Sequence, residues 1–338
     1  LNNSNRLILT ESIQALLANH NYADAAGLLL EQQRAVWREL NENYDNLKFV
    51  KTRTIPFNKF SIELQFNPGR IKSTSAEVDE NSVLNRKCFL CDKNLPPPQK
   101  GFKIFKDYIL FCNPHPVFPE HFTIVSAEHK PQEILSTFLD FVEIVERLGK
   151  RYSLIYNGPK CGASAPDHLH FQAGTKQFMP IENDLNSIIQ FYGKTIFSDN
   201  HIKISSVDDS LRKFFILETN DINILYKTVE KIYKECESVF NLKEEPLMNV
   251  VSVFDEDIGW KVLVFLRAKH RPTHYFLDEE NRILFSPAAI DIGGVCITPI
   301  KKDFEIIDKK LLEEIFVEIF PTKKAFDQLV TVLRLTLN

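Results

Sequence analysis

Apolar residues recur three and four positions apart over residues 7–18 and 23–43, which predicts two helices at the start of the chain. Strand-like runs follow at 49–56 and 60–66, and Asn67-Pro68-Gly69 reads as a turn. Residues 71–87 are mostly polar and read as loop, and Pro96-Pro97-Pro98 cannot be helix. Strands are predicted at 108–112 and 121–126, then an amphipathic helix at 132–148 with Leu135, Phe138, Val142, Val145 and Leu148 on one face. Strands at 152–156 and 168–173 flank a small-residue loop holding Gly158, Gly162 and Ser164. Further on, the pattern gives a helix at 222–240 and strands at 248–254, 261–267 and 294–300. Helices at 309–320 and 323–337 close the chain, and Asp255-Glu256-Asp257 reads as a hairpin turn. Strands mixed with helices, without regular βαβ spacing, predict an α+β fold with an antiparallel sheet and two halves of similar element order.

The 338 residues are 44% hydrophobic and 25% charged, enough for one large domain or two moderate ones. With 41 basic and 45 acidic side chains, the formal charge of −4 argues against a nucleic-acid coat or a polybasic membrane anchor. No apolar run approaches the ~20 residues of a membrane span. Leu1 to Asn5 carry neither a basic nor an apolar signal region, so no signal peptide is expected. Of the six cysteines only Cys88 and Cys91 lie close in sequence, which does not read as a disulfide framework. A cytoplasmic protein is the resulting expectation, and a homodimer is compatible with it.

Chemistry concentrates between residues 88 and 172. Side chains alternate along a strand, so His168, His170 and Gln172 share a face. Two imidazoles and an amide on one face are costly in a core. Just upstream, Asn157-Gly158-Pro159-Lys160-Cys161-Gly162-Ala163-Ser164 could turn several backbone N–H groups toward an anion. A histidine beside a phosphate cradle is a candidate nucleophile at phosphorus. The alternative is a surface strand with two hydrogen-bonded histidines beside a glycine turn. Cys88-x-x-Cys91 has zinc-knuckle spacing and needs two more ligands for a closed tetrahedral site; redox chemistry is the rival reading. Arg267, Lys269, His270 and Arg271 could receive an acceptor phosphate, but such a run is more often a solvated loop. Asn249 and Asp291 suggest no mechanism by themselves.

His168-Leu169-His170-Phe171-Gln172 resembles the histidine-triad motif in its transferase form, where glutamine replaces the third histidine. That branch holds galactose-1-phosphate uridylyltransferase, diadenosine tetraphosphate phosphorylase and plant GDP-galactose phosphorylase. The run Asn113-Pro114-His115-Pro116-Val117-Phe118-Pro119-Glu120-His121 is similar to the Asn-Pro…Pro-Gly-His strand of the superfamily, with Glu120 at the usual glycine. Tyr156-Asn157, His168 to Ala173 and Ser286 to Gly294 are similar to the plant phosphorylase.

The resemblance implies a histidine-triad-like antiparallel sheet with flanking helices in two pseudo-repeated halves. It implies a helical extension at 1–45, a catalytic half with the metal site at 46–200 and a second half at 201–338. His170 would attack the α-phosphorus of a nucleoside diphosphate compound, and Gln172 would hydrogen-bond the phosphoryl oxygens. An amide cannot act as an acid, so the nucleotidyl-histidine would wait for phosphate. Asn113, Asn157, Gly162 and Ser164 would contact the substrate, although Ser164 stands four residues before His168 where relatives place it three before. Likeness to the uridylyltransferase implies a structural zinc on Cys88, Cys91, His129 and His168, with His115 as rival third ligand. The expected substrate is a nucleotide sugar, GDP-hexose before others, or a dinucleoside polyphosphate. The alternatives are a triad-type hydrolase and an inactive zinc-stabilised interaction module.

Overall fold

The computed structural model describes residues 6–7, 10–76 and 78–337. The residues on which the signal-peptide expectation rests, and Ile8 and Leu9 of the first predicted helix, lie outside the described residues. The chain opens with α1 (Glu11–Ala18), α2 (Tyr22–Val36) and α3 (Arg38–Asn46). The run expected as one helix at 23–43 is therefore two, broken where Trp37 adopts extended backbone. Next come β1 (Lys51–Pro56) and β2 (Ser61–Phe66). The segment expected as loop contains two short helices, α4 (Ile71–Thr74) and α5 (Glu80–Asn85), the second capped by Asp79.

The catalytic candidates sit in the next run: β3 (Gly101–Phe105), β4 (Tyr108–Cys112), β5 (His121–Ser126), α6 (Phe138–Leu148), β6 (Tyr152–Asn157) and β7 (His170–Thr175). Helix α6 starts six residues later than its hydrophobic pattern suggests. After α7 (Pro180–Tyr192) come β8 (Gly193–Ser198), β9 (Ile202–Asp208), β10 (Lys213–Thr219), α8 (Ile222–Phe240), β11 (Met248–Asp255) and β12 (Gly259–Leu266). Asp221 caps the start of α8, and Asn241 ends it in the left-handed region. The chain closes with α9 (Ala289–Ile292), β13 (Val295–Thr298), α10 (Lys301–Ile306), α11 (Lys309–Ile319) and α12 (Lys323–Thr336). Nothing in the hydrophobic pattern singled out α7 or β8 to β10.

Ten strands form one antiparallel sheet in the order β3-β4-β5-β7-β6-β11-β12-β10-β9-β8. Read inward from each edge, the two sets of five have the same order, and α6 and α8 occupy equivalent connections. The fold is thus α+β in two pseudo-repeated halves joined where β6 pairs with β11. Since β8 pairs with β9, the second repeat begins at Gly193, slightly before the expected boundary at 200. Strand β12, the counterpart of β7, carries no histidine, so the repeat has one set of reactive side chains.

One face of the sheet is covered by α2, α6, α8 and α12, burying Leu110, Phe122, Phe171, Val250 and Val264. The opposite face of the second repeat, with Ile155 of the adjoining β6, buries Phe214, Val251 and Leu263 against α7, α11 and the small β1-β2-β13 sheet. That cover stops short of β4, β5 and the start of β7, and the uncovered part of the face is the floor of a cleft.

A fully buried ion pair locks this second cover. Arg212 Nη2 lies 2.7 Å from Asp209 Oδ2, and Nη1 donates to the Ile292 carbonyl at the end of α9. Asp209→Ala leaves the guanidinium buried without its counter-charge, so denaturant unfolding should show a loss of about 3–5 kcal/mol. A loss below about 1 kcal/mol, the scale of a surface pair, would contradict that reading.

Candidate active site and metal centre

His170 opens β7 and is 4% exposed. Its Nδ1 lies 2.8 Å from the His168 carbonyl, which can only accept, so Nδ1 carries the proton. Nε2 is left unprotonated on the side facing the cleft that His170 lines. Burial pushes the imidazole down to about 4, keeping it neutral near pH 7.

Gln172, two residues on, lines the same cleft, while Leu169, Phe171 and Ala173 enter the core behind the sheet. The shared face expected for three residues holds for His170 and Gln172. His168 lies before the strand, in a bend that turns it toward the cysteines. Gln172 is oriented by His121. The Val117 N–H donates to His121 Nδ1 at 3.2 Å, so His121 Nε2 carries the proton and donates to Gln172 Oε1 at 2.9 Å. The amide NH2 of Gln172 is therefore the end left for a ligand. His121 is itself fixed by Tyr44 of α3, whose hydroxyl donates to the His121 carbonyl and accepts its N–H. Glu120, at the usual glycine, accepts from Arg151 and Tyr152; Arg151 also reaches Asp24 of α2. The departure ties the helical extension to the strand.

The cleft holds about 510 Å³. Asn113, Asn157, Gly162 and Ser164 all line it, as do His115, His270 and Arg271. Asn157 Oδ1 accepts from Ala289 N–H and from Asn249 Nδ2, both at 2.8 Å, which aims its own NH2 elsewhere. Asn113 donates to Thr123 Oγ1 and accepts from the His115 N–H, so its amide is engaged within the wall. Gly162 has φ +93°, and a Cβ there would stand 2.5 Å from that of Ala288. Only glycine permits both the turn and the contact.

Several wall residues carried no signal in the sequence. Arg70 follows the predicted Asn67-Pro68-Gly69 turn, and Lys72 comes from the segment read as loop. Together with Arg271 they line the cleft without an ion pair among the described residues. Asp291 is buried with both oxygens accepting backbone N–H groups, and burial raises it to about 6. The solvated-loop reading of the basic run does not hold for Arg267. It is 5% exposed and donates to Asn249 Oδ1 and to the carbonyls of Pro287, Lys269 and His270. Lys269 pairs with Glu318 on the surface. Leu90, Leu95, Phe111 and Val125, which pack in one apolar cluster, also line the cleft.

Beside the cleft, Cys88, Cys91, His129 and His168 gather with their ligand atoms within 4.8 Å of one another. Cys88 Sγ is 3.3 Å from His168 Nδ1, and Cys91 Sγ is 3.2 Å from His129 Nδ1. A tetrahedron with zinc–sulfur and zinc–nitrogen bonds of normal length has S···N edges of about 3.6 Å, so the set fits. His168 Nε2 donates to the Ser126 carbonyl at 2.8 Å, leaving Nδ1 as its ligand atom. Asp167 stands 3.9 Å from His129 Nε2 and is held by Arg86. These four residues could bind a metal ion. His115, the rival ligand, lies apart in the cleft wall, where its carbonyl accepts from Arg70.

A large antiparallel sheet carries a His-x-His-x-Gln run at the border of a cleft. Solved structures share this architecture. Crystal structures of yeast Ap4A phosphorylase Apa2 match with a TM-score of 0.54 at 14% identity, covering 84% of this chain and 93% of that one. The same enzyme in complex with AMP gives 0.54 at 15% identity, covering 84% and 95%. With Ap4A it gives 0.53 at 14% identity, covering 86% and 97%. A family model described as a domain of unknown function, DUF4922, matches residues 29–175. Comparison with curated proteins finds no match. Among the described residues no helix is long and apolar enough to cross a membrane.

Proposed function

We propose that the protein is a nucleotidyltransferase of phosphorylase type, acting through a nucleotidyl-histidine on His170. The observation that carries this is the imidazole's geometry: Nδ1–H is spent on the His168 carbonyl and Nε2 faces the cleft beside the Gln172 amide. Nε2 would form a bond to the α-phosphorus of a nucleoside diphosphate compound as the bond to the departing phosphate oxygen breaks. A phosphate oxygen would then attack the same phosphorus from the other side, releasing a nucleoside diphosphate and the free imidazole. The NH2 groups of Gln172 and Asn157 and the backbone around Gly162 would hold the phosphoryl oxygens through both steps. The apolar wall formed by Leu90, Leu95, Phe111 and Val125 is suited to a nucleobase.

A zinc ion on Cys88, Cys91, His129 and His168 would act structurally, filling all four positions with protein ligands. His168 would thereby be held at its side chain while its carbonyl orients His170.

Arg70, Lys72 and Arg271 support a substrate with several phosphates past the reacting one, as in a dinucleoside polyphosphate. The neighbour structures with AMP and Ap4A point the same way. A second reading, a GDP-hexose substrate, rests on the likeness of the His168 to Ala173 run to the plant phosphorylase. Incubating the protein with α-labelled GDP-, ADP- and UDP-hexoses and Ap4A, then denaturing it, should trap a labelled adduct with one of them. No adduct with any compound, under conditions where phosphorolysis proceeds, would refute the covalent mechanism.

A further inference from the structure

The ladder between β6 and β7 stops at Ile155 and Gln172, while the other edge of β6 stays paired with β11 as far as Asn157 opposite Asn249. On its other side β7 stays paired with β5 as far as His170 opposite Val125, and the Leu169 carbonyl accepts from the Ser126 N–H. Backbone groups alternate direction along a strand, so the N–H and C=O of His170 point into the gap that β6 has left.

Gln132 fills that gap. Its Oε1 accepts the His170 N–H at 2.8 Å, and its Nε2 donates to the His170 carbonyl at 2.9 Å and to the Asn157 carbonyl at 3.0 Å. The side chain is 3% exposed. One amide thus replaces a missing stretch of strand and ties the reactive residue to the head of the phosphate loop.

We infer that Gln132 is a positioning residue for phosphoryl transfer, setting the distance between the His170 imidazole and the Asn157–Ser164 cradle. The inference rests on the proposed covalent role of His170. Its chemistry is specific to an amide: two of the three bonds need a donor and one needs an acceptor. Glutamate keeps the shape but turns a carboxylate oxygen toward two carbonyl oxygens. Methionine keeps the volume and supplies neither donor nor acceptor for N–H groups of this kind.

Gln132→Glu and Gln132→Met are compared with the unaltered protein using whichever labelled compound of the panel gives the adduct. The rate of adduct formation should fall about 100-fold, the scale of an ångström of misplacement, while affinity for the matching nucleoside monophosphate stays within about threefold. Cooperative melting should persist. An unchanged adduct rate in either folded variant overturns the inference. So does a parallel loss of rate, affinity and cooperative melting, which would make Gln132 a support of the fold alone. If no compound labels the unaltered protein, the covalent reading fails by itself, and the inference is judged on ¹⁵N-histidine spectra. A single Nδ1–H form of His170, identified by its absence in His170→Ala, should become a mixture in Gln132→Met; an unaltered signal refutes the positioning role.

Discussion

Replacing His170 with alanine should give a protein that folds, binds nucleotide and forms no nucleotidyl adduct. Phosphorolysis should drop by roughly 10⁴-fold or more, the loss seen when a nucleophile is removed from a site otherwise intact. Binding survives because the proposed cradle consists of the 157–164 loop, the Gln172 amide and the cationic wall, none of which depends on the imidazole. Gln172→His should act differently. His121 presents Nε2–H to residue 172, so a histidine there would accept from His121 and turn its own N–H toward the phosphate. That group can protonate a leaving oxygen, which an amide cannot. The ratio of nucleoside monophosphate to nucleoside diphosphate released in the presence of phosphate should therefore rise. Near-normal phosphorolysis by His170→Ala would place the chemistry on another residue.

The second large effect is expected at the metal group. Protein prepared without chelators should carry one zinc per chain, and Cys88→Ser should carry almost none. Without the ion, burial holds the Cys88 thiol protonated, pushed up to about 11, and the loop around it loses its anchor. Melting should fall by about 10 °C or more. The adduct rate should fall as well, because His168, which would ligate the ion through its side chain, orients His170 through its carbonyl. Zinc-free protein that melts and labels like the zinc-loaded form would dismiss the site as a structural one.

How much of this was legible beforehand depended on whether the signal was local. His170 and Gln172 lie two apart on a strand, and alternation alone places them on one face. Cys88 and Cys91 are equally local, but His129 and His168 joined them only through likeness to a known ligand set. Gln132 was misread as the first residue of an amphipathic helix. Its periodicity was real, yet the amide is committed to the backbone of residues 25 and 38 positions away, so the helix begins at Phe138. Arg70 and Lys72 were hidden in a polar stretch whose character showed only when the fold set it against the cleft. Arg267 looked like part of a solvated run because its partners are carbonyls and an amide, not carboxylates. Strands β8 and β9 mix polar with apolar residues at the sheet's far edge, and no local pattern announced them.

The parallel pairing of β13 with β2 joins residues more than 200 positions apart, Val295 opposite Glu63. In the order of biosynthesis, His170 and the group Cys88, Cys91, His129 and His168 leave the ribosome well before Asn249, Arg267, Ala288 and Ala289. A growing chain can therefore bring the Cys88, Cys91, His129 and His168 group together early, while the cleft wall facing His170 is completed only by residues 249–289. A product released by premature termination before Ala289 would keep those four residues and lack the cleft wall that Ala288 to Asp291 complete.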